Sequence, residues 1–387
     1  MARGFGRDKG GARPSFAPSP HPAYTLPISV SRKPPRVPKP LILFRCDATL
    51  TMGTGHVMRC LTLADEMVGR GAECVFVSAP GTQELVPALP YPIQAPEKLP
   101  FGAALAVIDH YGLDAAYEAL VRSQTRAVMA IDDLPNRRHH CDLLLDQTHG
   151  REAAEYCDLV PHNSKVLTGS AYALLRPQFA LARSASLARR DGALRRLLVS
   201  LGGTDSDNIT GQVLSAISQS GLALAVDVVM GAKAPHLDSV RTQAAAMAEA
   251  RVLVGVADMA GLMAEADLAI GAAGTTTWER CCLGLPALML VIADNQKDIA
   301  RLVTGSGAAL AATPATISGQ LQSLATQPQA LQSLSQAAAQ LCDGRGAARI
   351  ADALSRLPPL KELRSGPTSR SPDGPSAPTI RPSSSPR

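Results

Sequence analysis

Short apolar runs alternate with segments of helical spacing along this chain, and the whole alternation occurs twice. LILFRC (41–46) and ECVFVS (73–78) read as buried strands on either side of a helix over 57–69. LAVID (105–109), AVMAID (127–132) and LLLD (143–146) read as further strands, each ending in an acidic residue. A polar, Arg-rich interval (183–196) follows, and RRLLVSL (195–201) restarts the pattern. Strands are then predicted near 225–230, 251–254, 268–270 and 287–292, with helices from 315 to 357. Apolar strands separated by helices form βαβ units and a parallel sheet covered on both faces. The expectation is an α/β protein with two Rossmann-like domains, 40–183 and 184–357, facing each other across a cleft. Ligands of such sheets sit outside the carboxyl ends of the strands, so the chemistry is expected at strand-end turns.

At 387 residues and 46% hydrophobic, the chain can fill two cores, and with 3% aromatic residues those cores must be Ala, Leu, Val and Ile. Residues 1–39 and 358–387 are rich in Gly, Pro, Ser and Arg, bury too little apolar surface to fold, and are expected to be disordered extensions. They carry the positive charge: the overall +5 becomes −5 between the tails, where 25 basic residues face 30 acidic ones. A mildly acidic body without a basic, aromatic-laced face argues against specific nucleic-acid binding. Eight cysteines show no CxxC spacing, which fits free thiols in a reducing cytoplasm rather than a disulfide framework or a zinc site. Neither a secretory h-region nor an apolar run near membrane-span length is present in the sequence. A cytoplasmic protein without membrane partners is expected. The oligomeric state stays open, a monomer included.

Five strand-end segments could carry chemistry. The first is Asp47 to Arg59, where a strand ends, two glycines follow and a helix begins near His56. Gly53 and Gly55 let backbone amides approach a ligand, and a helix start favours negative charge; the other reading is a tight strand-to-helix turn with a surface histidine. Met58 stands where a GxGxxG fingerprint needs its third glycine, which disfavours a dinucleotide cofactor. The second runs from Gly271 through Gly274, Thr275, Thr276 and Thr277 to Glu279, a run of small residues and hydroxyls suited to phosphate, or equally an ordinary capped helix. Asn295-Gln296 and Gly202-Gly203-Thr204-Asp205 carry the same two readings, polar ligand groups or caps. Asp109-His110-Tyr111 gathers an acid, an imidazole and a phenol, each suited to acid–base work or equally to a structural polar role. Of the pair Asp132-Asp133, extended backbone turns one side chain away from the other, so one is structural. His139-His140-Cys141 lacks chelating spacing.

Together these strings resemble a family. RCDATLTMGTGHVMRCLTLADEM (45–67), VIDHYGLD (107–114), AIDDLPNRRHHCDLLLDQT (130–148), YALLRPQF (172–179), LVSLGGTDSDN (198–208), AEADLAIGAAGTTTWERCCLGLPALMLV (264–291) and ADNQ (293–296) occur in the order seen in the UDP-2,4-diacetamido-2,4,6-trideoxy-β-L-altropyranose hydrolases of pseudaminic acid biosynthesis. The resemblance spans about residues 41–355 and leaves out the tails. It implies a GT-B-like fold with UDP held mainly by the C-terminal domain. It also implies hydrolysis of the anomeric C–O bond with inversion, without cofactor or metal. By the same resemblance His56 is catalytic, Tyr111 and Asn295 face the sugar, and the segment Gly274 to Glu279 binds UDP. Asp47, Gly53, Gly55, Arg59 and Gln296 complete the expected substrate set, and Gly203 the UDP set. Two departures, Ala273 in place of a glycine and Ser206 in place of a proline, touch the fine specificity for the sugar. Two other readings share the cleft: a GT-B glycosyltransferase passing the sugar to an acceptor, and a non-enzymatic nucleotide-sugar sensor.

Overall fold

The computed structural model describes residues 39–49 and 52–361. Seven strands form the first sheet: β1 (Leu41–Cys46), β2 (Glu73–Val77), β3 (Ile93–Gln94), β4 (Leu105–Asp109), β5 (Val128–Ile131), β6 (Leu143–Asp146) and β7 (Lys165–Thr168). All pairings are parallel, in the order β3-β2-β1-β4-β5-β6-β7. The apolar runs become central strands because both sheet faces are covered. Ile42 and Phe44 pack into one core and Leu43 into another. Helix α1 (Gly55–Gly69) supplies much of the first cover, because Val57, Cys60, Ala64 and Met67 recur on one face and are fully buried. Helices α2 (Thr82–Leu85) and α3 (Ala115–Arg122) also belong to this half. Asp114 starts α3 by accepting from the amides of Ala116 and Tyr117.

Helix α4 (Pro177–Ala188) then leads to the second sheet, made of β8 (Arg196–Ser200), β9 (Ala225–Met230), β10 (Ala250–Val254), β11 (Leu268–Ala272), β12 (Ala287–Leu290) and β13 (Ala309–Ala311). Its order is β10-β9-β8-β11-β12-β13, again all parallel. Between and after its strands lie α5 (Ile209–Gln219), α6 (Leu237–Ala245), α7 (Met259–Glu265), α8 (Thr276–Cys282), α9 (Lys297–Gly305), α10 (Pro314–Ala325), α11 (Pro328–Leu341) and α12 (Gly346–Leu354). The α/β class with two Rossmann-like halves is therefore the observed architecture. Strands β3, β7 and β13 carry no clear signal in the sequence, because each is a short edge strand with partly exposed residues.

The crossings between the halves differ from the expected boundaries. Residue 183 lies inside α4, and Phe179 of that helix is buried in the core of the second sheet. The chain has thus already crossed before the Arg-rich interval. At the far end it crosses back: Ile350, Ala351 and Leu354 of α12 are buried in the core of the first sheet. Pro358–Leu360 forms a 3₁₀ turn with Leu360 fully buried there, so order continues past the expected boundary at Pro358. The remainder of the two tails lies outside the described residues. The two crossings touch: a Cβ on Gly346 would lie 2.2 Å from the Ala173 carbonyl oxygen, which only glycine avoids. Arg70, which caps the end of α1, ties down α12 through Asp352, 2.5 Å away. Among the described residues no helix is long and apolar enough to cross a membrane.

This topology fixes where a ligand goes. In the first sheet the strand order reverses between β1 and β4, and in the second between β8 and β11. A crevice opens at the carboxyl ends of such strand pairs. Those four ends carry the turns at Gly53, Tyr111, Gly202 and Gly274.

Candidate active site

On the first sheet, the turn after β1 is closed by the Gly53 amide donating to the Thr49 carbonyl at 2.8 Å. Helix α1 follows at once and places His56 and Arg59 one turn apart on one side. Both reach Asp109, the last residue of β4, which is fully buried. Arg59 donates from Nε to Oδ2 and from Nη2 to Oδ1, each at 2.6 Å. His56 Nδ1 lies 2.6 Å from the same Oδ1. A carboxylate oxygen only accepts, so Nδ1 carries the proton and Nε2 is left as a base. The 3.2 Å approach of Arg59 Nη2 to His56 Nδ1 is then two donors converging on one oxygen, not a hydrogen bond between them. Burial alone would raise the Asp109 carboxyl, but Arg59 and His56 hold it well below the usual carboxylate range. Arg59 is raised in turn, its burial outweighed by Asp109 and Asp133.

A second layer joins this group to the other half of the molecule. Arg59 Nη1 donates to Asp133 Oδ2 at 3.2 Å, and the Tyr111 hydroxyl donates to Asp133 Oδ1 at 2.8 Å. Asn295, beyond β12, donates to the Tyr111 oxygen at 3.4 Å. The Tyr111 ring meets His56 edge-on, with centroids 4.8 Å apart. Burial and Asp133 push the Tyr111 phenol up, so it remains a donor.

The opposite wall comes from the second sheet. Gly202 and Gly203 follow β8, while Gly274, Thr275 and Thr276 bridge β11 and α8. No atom lies within 4 Å of where a Gly274 Cβ would sit, so that turn is open. It faces the first turn closely, since a Cβ on Gly55 would lie 3.3 Å from Thr275 Oγ1. Gly271 has a different reason to be glycine. The Arg280 guanidinium packs over it, with Nη1 2.3 Å from where a Cβ would be. Arg280 donates to the Ala272 carbonyl at 2.8 Å, to Thr277 Oγ1 at 3.1 Å and to Thr276 Oγ1 at 3.4 Å. Glu279 sits on the wall 3.7 Å from Arg176, and burial pushes its carboxyl up to about 7 despite Arg176 and Arg280.

Between the walls lies a cavity of about 440 Å³. It brings together His56, Gly53, Gly55, Arg59, Tyr111, Asn295, Gln296, Gly203, Gly274, Thr275, Thr276 and Glu279, all expected there from the sequence. Two expected residues are elsewhere. Asp47 turns back along the sheet, accepts from Arg45 at 2.7 and 3.0 Å and from the Ala79 amide at 2.7 Å, and pairs with His110. It fastens the end of β1 to the end of β2 and does not line the cavity. Thr277 lies on the buried face of α8, its hydroxyl facing Arg280. Asp205 likewise turns inward and accepts from the amides of Ile209 and Thr210 at the start of α5.

Sequence reading missed Asp109 as the partner of His56, and Asp133 and Arg176 as cavity residues. Strand alternation did signal that Asp132 and Asp133 part company. Asp132 is buried against Arg137 and His139, while Asp133 faces the cavity. His139 itself is held between Asp132 and Glu118, a structural cluster. All eight cysteines are free, seven of them buried. Among the described residues no group of three or more His, Cys, Asp or Glu side chains is placed to hold a metal ion.

The two facing parallel sheets, with a cleft at their switch points and a final helix returning to the first half, define a GT-B-like protein. Solved structures with this fold include MurG from Acinetobacter baumannii, with TM-score 0.60 and 16% identity over 83% of this chain and 100% of that one. The MnaA–UDP co-structure from S. aureus has TM-score 0.56 and 12% identity over 83% and 97% of the two chains. Residues 196–354 match the family described as glycosyltransferase family 28 C-terminal domain. More particularly, the chain is similar to the UDP-2,4-diacetamido-2,4,6-trideoxy-β-L-altropyranose hydrolase of Campylobacter jejuni, 25% identical over 69% of this chain and 97% of that protein. It is also similar to the spore coat polysaccharide biosynthesis protein SpsG of Bacillus subtilis, 28% identical over 53% and 61% of the two chains.

Proposed function

We propose that this protein is a cytoplasmic, metal-independent hydrolase that releases UDP and free sugar, with inversion, from a UDP-linked 2,4-diacetamido-2,4,6-trideoxyhexose, in pseudaminic acid biosynthesis. The observation that carries the reading is the Asp109–His56 pair, which leaves one basic imidazole nitrogen on a cleft whose other wall is an open glycine–threonine turn. The similarity to the Campylobacter hydrolase supports the choice of substrate.

In this reading the diphosphate lies against the amides and hydroxyls of Gly274, Thr275 and Thr276, and Glu279 accepts from hydroxyl groups of the nucleotide sugar. Tyr111, Asp133 and Asn295 hold the sugar on the opposite side. Water attacks the anomeric carbon on the face away from the leaving group, and His56 Nε2 takes its proton. The C–O bond breaks toward UDP, whose oxygen keeps the electron pair. UDP is a stable anion and needs little acid catalysis. Asp109 steadies the imidazolium that forms, with Arg59 holding the carboxylate in place.

The test is incubation of the intact protein with the UDP-linked diacetamido sugar in ¹⁸O-labelled water containing EDTA. Hydrolysis at the anomeric carbon releases UDP and puts the label in the sugar. Label in UDP instead means attack at phosphorus, and no release of UDP ends the hydrolase reading. A second reading, sugar transfer, draws on the match of residues 196–354 to a glycosyltransferase domain. It predicts that UDP release depends on an added acceptor and that the label enters neither product.

A further inference from the structure

Five arginines are buried among the described residues: Arg45, Arg59, Arg70, Arg151 and Arg280. Four of them rest on carboxylates, Arg45 on Asp47, Arg59 on Asp109 and Asp133, Arg70 on Glu66 and Asp352, and Arg151 on Asp146 and Glu155. Arg280 is the most deeply buried, 2% exposed, and makes no ion pair among the described residues. Its Nε has no hydrogen-bond partner, and its other nitrogens reach only neutral oxygens. The neighbouring acid, Glu279, is turned to Arg176 and is held up to about 7 by burial, so it neutralises Arg280 poorly. Burial correspondingly lowers Arg280 below the usual arginine value.

An uncompensated buried charge destabilises a fold, and an apolar side chain of similar length avoids that penalty. The chain nevertheless carries the cation here, and Gly271 leaves the room that its guanidinium occupies. The guanidinium lies directly behind the cavity wall. Nη1 donates to Thr276 Oγ1, which leaves the Thr276 hydroxyl proton free to point into the cavity.

We propose that Arg280 is a positioning residue whose counter-charge is the ligand: a diphosphate bound at Gly274–Thr276 neutralises it through the Thr276 hydroxyl, in place of a protein carboxylate. The inference rests on the UDP reading of the cleft. It assigns to this cation, rather than to backbone amides alone, the preference of the second wall for an anion.

The test compares full-length wild type with R280M, R280Q and R280K by equilibrium dialysis against UDP and against uridine, with thermal melting of each unliganded protein. Both neutral variants are expected to lose at least about tenfold in UDP affinity. Uridine binding should stay unchanged, and unliganded melting should stay level or rise. R280K should recover most of the UDP affinity. The proposal is overturned if a folded neutral variant binds UDP like wild type, if UDP and uridine affinities fall together, or if R280K binds no better than R280M. It is also overturned if neither neutral variant folds, because Arg280 is then a structural strut. Wild type that binds neither UDP nor uridine removes the UDP reading itself, whereas wild-type affinity in R280M removes only the role of Arg280.

Discussion

The two walls of the cleft sit at equivalent switch points of two parallel sheets, yet they are built in opposite ways. On the first wall every buried charge is matched. Asp109 takes both His56 and Arg59, and Asp133 takes Arg59 and Tyr111. On the second wall the turn is neutral and open, its deeply buried cation meets no carboxylate among the described residues, and burial pushes its acid up to about 7. A saturated charge network fixes one ring in one tautomer, which suits proton transfer. An unsaturated one waits for a charge from outside, which suits anion binding.

This contrast can be broken by mutation. The largest expected effect is on H56A, which should lower kcat by about 10²- to 10⁴-fold while leaving UDP affinity unchanged. Full turnover would take His56 out of the chemistry and erase the distinction between the walls. Next is D109N, expected to cut kcat by about a hundredfold or more and to cost about 3–5 kcal/mol of stability in denaturant titrations, because Arg59 keeps its charge and loses its main partner. D109N that melts like wild type would mean the first wall is not a mutually dependent network.

A smaller effect is expected at Glu279. Its carboxyl titrates at about 7, and only the ionised form accepts hydrogen bonds at both oxygens. Affinity for a UDP-sugar, whose phosphates stay ionised throughout, should therefore rise roughly tenfold from pH 6 to 8. E279Q should flatten that profile. A wild-type profile that is flat or falls with pH contradicts the assigned role.

The last test reads the charge network of the first half away from the cleft. Burial opposes the charge on His139, but Asp132 and Glu118 push its imidazole up to about 9, above its value in the unfolded chain. Its contribution to stability, on the order of 3 kcal/mol, is complete below about pH 6.5 and is lost as the pH rises through about 9. Urea unfolding of wild type should show this fall between pH 6.5 and 10, and H139Q should not. Equal slopes in both proteins would exclude the cluster as the source.

Much of the second wall was legible in the sequence, because its chemistry comes from consecutive residues. Gly274, Thr275 and Thr276 need only a strand before them and a helix after. Even there the helix decided what residue numbers cannot, as Thr277 rotates into the core beside Arg280. The first wall was less legible. Asp47 follows the apolar strand β1 and Asp109 ends the apolar strand β4, and Asp47 is closer in sequence to His56. Parallel pairing of β1 with β4 sets Cys46 beside Asp109, so the distant carboxylate faces the imidazole while Asp47 turns to Arg45.

The sequence by itself determined the local elements. Continuous apolar runs too short for a helix fit strands covered on both faces, and helical spacing on segments such as 57–69 supplies the cover. It therefore determined two parallel sheets and the turns at their strand ends, with His56 at the start of a helix. Only the tertiary structure decided which strands are neighbours, which aspartate orients His56, and that α12 leaves the second half to finish the first. Those outcomes depend on contacts between residues far apart in the chain. One is the approach of Gly346 to Ala173, and another is the burial of Ile350 under the first sheet: the helical spacing of Ala347, Ile350, Ala351 and Leu354 marks a buried face but not which sheet it covers.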